Sequence, residues 1–167
     1  MIILGIDPGY AIVGVGVVEY VGNKFRTLEY NAITTPAGMS TVDRLQKIYQ
    51  EITMYIDKYN PDAMAIEELF FNSNQKTAIN VAQARGVLLV AAANKGIPIN
   101  EYTPLQVKQS VTGYGRADKK QIQQMVKMML GLNVIPKPDD AADALAIAIC
   151  HAHSNKMNKL LGTNGVR

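Results

Sequence analysis

The pattern that most limits what this chain can fold into lies at its start. Ile2-Ile3-Leu4-Gly5-Ile6-Asp7 is a continuous apolar run closed by an acid, and Asp7-Pro8-Gly9 then turns the backbone. Residues 12–19 follow with valine and glycine in alternation. A short β-branched run reads as a buried strand, and period-two alternation just after a turn reads as its hairpin partner. Glycines inside that second strand call for close approach by another backbone.

A third strand is expected at residues 24–34. A helix from about Ser40 to Tyr59 carries Leu45, Ile48, Tyr49, Ile52, Ile56 and Tyr59 at helical spacing, and Asn60-Pro61-Asp62 stops it. Residues 63–67 read as a fourth strand. Residues 75–94 read as a helix that is apolar nearly all round, either central in the core or buried against a second subunit. A fifth strand at 97–102, short helices at 104–111 and 118–130, and a last helix at 140–153 complete the pattern. From Ser154 the chain is polar and is expected to fray. One domain is therefore expected over residues 1–153, with a flexible tail at 154–167. Three strands joined through a helical crossover to parallel strands imply an α/β fold: a mixed five-stranded sheet flanked by helices on both faces.

The single Cys150 excludes an internal disulfide framework and suits a reducing compartment. The N-terminal apolar run has no basic flank and is too short for a signal peptide or a membrane span, so a cytoplasmic protein without membrane attachment is expected. The net charge of +3 names no partner, but its distribution is uneven. Lys108, Arg116, Lys119, Lys120, Lys127 and Lys137 fall in one stretch whose only acid is Asp118. This is either a solvated helix face or a surface for a polyanion.

The acids with marked contexts lie outside that stretch. Asp7 ends the first strand, Glu67 ends the fourth, and Asp140 and Asp143 open the alanine-rich last helix. If the two strands are parallel neighbours, both strand acids emerge at one sheet edge. Asp140 and Asp143, at i and i+3, share a helix face. Two unit charges about 4 Å apart repel by roughly 4 kcal/mol at an effective dielectric of about 20, so such a cluster calls for protons or hard divalent cations. Two cations there suit in-line hydrolysis of a phosphodiester without a nucleophilic side chain. Each residue also has a plainer reading. Asp139 or Asp140 can be an N-cap, Asp7 can shape its turn, and Glu68 competes with Glu67. Phe70 and Phe71 are core residues by default, or a wedge against an unpaired base. His151 and His153 diverge on a helix, and capping or solvent exposure is expected of them.

Five motifs occur in order: Ile3-Leu4-Gly5-Ile6-Asp7-Pro8-Gly9, Ala65-Ile66-Glu67-Glu68-Leu69-Phe70, Gln83-Ala84-Arg85-Gly86-Val87, Gln106-Val107-Lys108-Gln109 and Asp140-Ala141-Ala142-Asp143-Ala144-Leu145-Ala146. On these the chain resembles the RuvC family of bacterial Holliday junction resolvases, over roughly residues 2–153. The resemblance implies an RNase H-like fold, a homodimer and Mg2+-dependent (Mn2+ tolerated) cleavage of two opposed strands of a four-way DNA junction in recombination and repair. It implies 5′-phosphate and 3′-hydroxyl ends, a preference for a short thymine-containing sequence, and work with the RuvA and RuvB branch-migration proteins. Carried over by motif, the metal-binding and catalytic acids are Asp7, Glu67, Asp140 and Asp143, which selects Glu67 over Glu68. Some members carry His where this chain has Asp140. Lys108 and Lys119 match basic positions that support DNA binding or cleavage, and Phe70 matches an aromatic that engages bases near the junction centre. Lys76, Arg85, Arg116 and Lys120 are expected to add DNA contacts. Three rivals remain open at this point: an actin-like or sugar-kinase ATPase, a junction-binding module without catalysis, and an RNase H-like nuclease acting on RNA.

Overall fold

The computed structural model describes residues 1–69 and 75–160, apart from the side chains of 75–77 and 158–160. β1 (Ile2–Asp7) pairs antiparallel with β2 (Ile12–Val21), and β2 pairs antiparallel with β3 (Lys24–Thr34). On the other side of β1, β4 (Ala63–Glu67) and then β5 (Ile99–Tyr102) run parallel to it. The sheet order is β3-β2-β1-β4-β5, the mixed five-stranded arrangement expected from the sequence.

Strand alternation sorts the side chains into two cores. Leu4, Ile6, Val13, Val15, Val17, Met64 and Ile66 face α1 (Thr41–Tyr59) and α2 (Gln75–Asn94). Ile3, Val18, Ala65 and Tyr102 face α3 (Pro104–Thr112), α4 (Lys119–Met129) and α5 (Asp139–Leu160). α1 starts where the Ser40 hydroxyl accepts the Asp43 N–H at 3.1 Å, and it stops where Asn60 turns left-handed.

The glycines of the first hairpin make a seat for α5. Gly5 pairs with Gly16, and Asp7 with Gly14, across the β1–β2 ladder. A β-carbon on Gly5 would stand 2.2 Å from the Ala144 carbonyl, and one on Gly16 would stand 2.9 Å from the Leu145 amide. Only bare backbone lets the alanine-rich helix lie this close to the sheet. α5 is consequently the most deeply buried helix, with Ala141, Ala144, Leu145, Ile147, Ala148 and Ile149 all inaccessible or nearly so.

Most boundaries fall within two residues of those expected, and two shifts have a visible cause. The fifth strand begins at Ile99 rather than 97, because the Ile97 amide turns back to the Ala92 carbonyl and Pro98 has no amide to donate. The last helix does not end at 153 but continues to Leu160. Its added turns remain attached to the body: the Asn155 side-chain amide donates to the Met1 thioether at 2.9 Å. Residues 161–167 lie outside the described residues.

Candidate active site

β1 and β4 end together, with Ile6 opposite Ile66 in the parallel ladder. Asp7 and Glu67, one residue on, follow the alternation that points Gly5 and Ala65 toward α5. Glu68 falls on the opposite alternation, and its amide bonds the Tyr102 carbonyl at 2.9 Å. Glu67 is therefore the acid on the α5 side. α5 begins at Asp139, and the Pro138 carbonyl accepts from the amides of Ala141 and Ala142. Asp139 and Asp140 thus lie inside the first turn, and neither is the cap. The Asp140 backbone rests on Gly14, the ladder partner of Asp7: a Gly14 β-carbon would stand 2.0 Å from the Asp140 carbonyl and 3.1 Å from the Asp7 β-carbon.

The charges of these residues interact. Asp7 is pushed up to about 7, first by burial and then by the negative charges of Glu67, Asp143 and Asp140, with Lys119 opposing. Burial also raises Glu67, helped by Asp143 and opposed by Lys108. Asp143 is raised by burial against the pull of Lys119. The Lys119 ammonium lies 3.1 Å from the Asp143 carboxylate and 3.6 Å from Asp139. Burial alone would lower the Lys119 pKa; its hydrogen bond to Asp143 and the charges of both aspartates outweigh that and raise it. Asp139 turns outward to Lys137 at 2.6 Å. Asp140, not Asp139, is the neighbour whose charge reaches Asp7.

Glu67, Asp143, Lys108 and Lys119 line one hollow, floored by Val107 and Ile122. Its walls come from β4, α3, α4 and α5. Among the described residues, no three acidic, histidine or cysteine side chains stand close enough together to hold a metal ion as placed. The acids stand within reach of one another's charge, and Lys119 holds Asp143. The donor set is all carboxylate, and burial leaves Asp7 poised between its protonated and ionised forms near neutral pH. Hard oxygen donors whose like charges need neutralising fit Mg2+ or Mn2+, and do not suit a soft metal.

The other sequence candidates divide. Lys108 and Lys119 join Glu67 and Asp143 in the hollow, whose lining does not include Asp7 or Asp140. Arg116 is exposed in the α3–α4 loop and Lys120 in the first turn of α4. Phe70 lies outside the described residues, as does the side chain of Lys76. Arg85, expected as a DNA contact, has its guanidinium committed inside the protein: it is ion-paired with Glu101, and its Nε donates to the Glu67 carbonyl at 3.3 Å. His151 corrects the expectation of capping or solvent exposure. It is 4% exposed, and its Nδ1 lies 2.8 Å from the Tyr102 hydroxyl. His153 is partly buried against Ser110 at 3.1 Å. The Arg85–Glu101 pair escaped the sequence reading, although the Gln83-Ala84-Arg85-Gly86 motif marked one half of it.

The family model for crossover junction endodeoxyribonuclease RuvC matches residues 3–151. The crossover junction endodeoxyribonuclease RuvC of Ruminiclostridium cellulolyticum is 63% identical over 98% of this chain and 99% of its own length. Among solved structures, Thermus thermophilus RuvC in complex with a Holliday junction substrate superimposes with a TM-score of 0.91 at 38% identity, covering 98% of this chain and 97% of that one. The yeast mitochondrial Holliday junction resolvase, at 16% identity and a TM-score of 0.64, shares the fold. With a family model spanning most of its length and a near-full-length relative this similar, the chain belongs to the RuvC family of crossover junction endodeoxyribonucleases.

Proposed function

We propose that this protein resolves four-way DNA junctions as a metal-dependent endonuclease, through paired symmetric nicks that leave 5′-phosphate and 3′-hydroxyl ends. The observation that carries the reading is the convergence of acids from two strands and one helix: the Asp140 backbone rests on Gly14, the ladder partner of Asp7, and Glu67 and Asp143 line one hollow with Lys108 and Lys119. Asp7, Glu67, Asp140 and Asp143 would hold the cations. Two Mg2+ ions, or Mn2+, bound there would supply Lewis-acid charge for in-line attack of water on a phosphodiester and for departure of the 3′-oxygen.

The side chains supply the rest. The carboxylates would hold the ions, and the ions would supply the positive charge that a scissile phosphate needs. Lys119 neutralises Asp143 before substrate arrives and can turn to a phosphate oxygen afterwards. Lys108 lowers the charge burden on Glu67 from the other wall of the hollow. Arg116 in the α3–α4 loop and Lys120 in the first turn of α4 extend the positive surface, where phosphate contacts would position the duplex arms. Cys150 is buried and offers no nucleophile. Phe70 follows Glu67 closely in sequence and is assigned to bases at the junction centre.

A symmetric substrate calls for two related active sites, which a homodimer provides. Val42 on α1 and Val90 on α2 are 73% and 54% exposed beside one apolar groove, a surface suited to a second copy. RuvA and RuvB are assigned as partners through the family. No described helix is long and apolar enough to cross a membrane, and the cytoplasm is the proposed compartment.

The test is incubation with a synthetic four-way junction, a matched linear duplex and an RNA–DNA hybrid, each with and without Mg2+. Paired nicks confined to the junction are expected. Preferential cutting of the hybrid would favour the RNA-directed rival, and binding without cutting would favour the inert module.

A further inference from the structure

We infer that Arg85 is a positioning residue for Glu67 rather than a DNA contact. This rests on the reading of Glu67 as a metal ligand. β4 loses its ladder partner on the β1 side after Ile66, so Glu67, the last residue of the strand, is paired only with Tyr102 of β5. The Arg85 side chain reaches that position from α2. Its Nε donates to the Glu67 carbonyl at 3.3 Å, and its other arm is ion-paired with Glu101 on β5, the residue opposite Ile66. One guanidinium therefore ties the ends of two adjacent strands to one helix.

The base of this tie is rigid. Ala84 and Leu88, on either side of Arg85 in α2, are fully buried in the core. The Arg85 side chain is only 13% exposed, and Glu101 neutralises it. A phosphate would have to share the guanidinium with both of these partners. Holding the Glu67 carbonyl restricts rotation about its Cα–C bond, and so narrows the positions from which the carboxylate can face Asp143 across the hollow. The planar fork of arginine makes both bonds at once, which a lysine ammonium on a flexible stem cannot reproduce. Partners that orient a ligand in this way are the usual second determinant of a metal site.

The experiment uses full-length protein with Arg85→Ala, Arg85→Lys and Asp7→Asn. Mn2+ binding is titrated by electron paramagnetic resonance in the absence of DNA, and junction binding is measured in EDTA across a salt series. Both Arg85 variants are expected to weaken Mn2+ binding by about tenfold or more, the usual loss on removing such a partner. The slope of log affinity against log salt should stay at the wild-type value. A slope reduced by about one in Arg85→Ala, with Mn2+ binding unchanged, would make Arg85 a phosphate contact and overturn the inference. Circular dichroism melts decide which variants are folded. Folded Arg85→Lys with wild-type Mn2+ affinity overturns the inference even if Arg85→Ala does not fold. If Asp7→Asn also binds Mn2+ like wild type, the acid-cluster reading fails with it; if only the Arg85 variants do, the inference fails alone.

Discussion

Gly14 lies directly beneath the backbone of Asp140, so closely that a β-carbon there would stand 2.0 Å from the Asp140 carbonyl. Because Gly14 is also the ladder partner of Asp7, one bare position on β2 sets how near the first turn of α5 comes to the strand acid. The clash is with backbone, so no side-chain rotation can relieve it.

Gly14→Ala is therefore expected to push the start of α5 off the sheet. Overpacking of this kind typically costs about 1–3 kcal/mol. Cleavage should fall further than stability, because the displaced turn carries Asp140 and Asp143. Urea denaturation and junction cleavage on the same preparation check this. A variant that cuts at the wild-type rate would show that the acids tolerate the shift.

Asp7→Asn should abolish Mg2+-dependent cleavage and leave junction binding in EDTA nearly intact. It should also change the metal-free pH profile. The Asp7 pKa is about 7 in the fold against an ordinary 3.8, so the folded state binds more protons in between. Stability from this group is thus lost as pH rises through that window. At pH 8 without metal the amide variant should be more stable than wild type, on the order of 2 kcal/mol, and Mg2+ should narrow the difference. Metal-free melts at pH 5 and pH 8 provide the check; equal pH dependence in both proteins would count against a frustrated carboxylate.

Lys119→Ala removes the cation 3.1 Å from Asp143 while deleting a side chain that is half exposed. Melting temperature should barely move, since exposed ion pairs contribute about 0–1 kcal/mol. Turnover or junction affinity should drop. Unchanged values for both would take Lys119 out of the site.

His151 gives the opposite pH dependence to Asp7. Burial pushes its pKa down to about 4, from an ordinary 6.5. The neutral ring is the folded form, so its contribution is complete above 6.5 and lost as pH falls toward 4. His151→Gln keeps a partner for the Tyr102 hydroxyl and cannot take a proton. It should be less stable than wild type at pH 8, by about 1 kcal/mol for an imperfect hydrogen bond, yet lose less stability on going to pH 5. Urea midpoints at the two pH values test this, and a parallel fall in both proteins would contradict it.

Much of the architecture was legible from short-range periodicity. The apolar run ending in Asp7, the valine–glycine alternation and the helical spacing from Leu45 to Tyr59 each follow from how side chains repeat along one element. That alternation also told that a backbone would press on Gly14 and Gly16, though not which one. The boundaries that moved were set by contacts between elements. The Ile97 amide was drawn back to α2, and the end of α5 was held against Met1.

By itself, the sequence determined the order and approximate extent of strands and helices, that the strand acids leave at element ends, and, through its motifs, the family. Only the tertiary structure decided what each charge faces. Lys119 meets Asp143, Arg85 meets Glu101 and the Glu67 carbonyl, and His151 meets Tyr102. The reason is physical: propensity and periodicity act over a few residues, whereas a side chain's partner depends on how separate elements pack, and here the partners lie 16 to 49 positions apart in the chain.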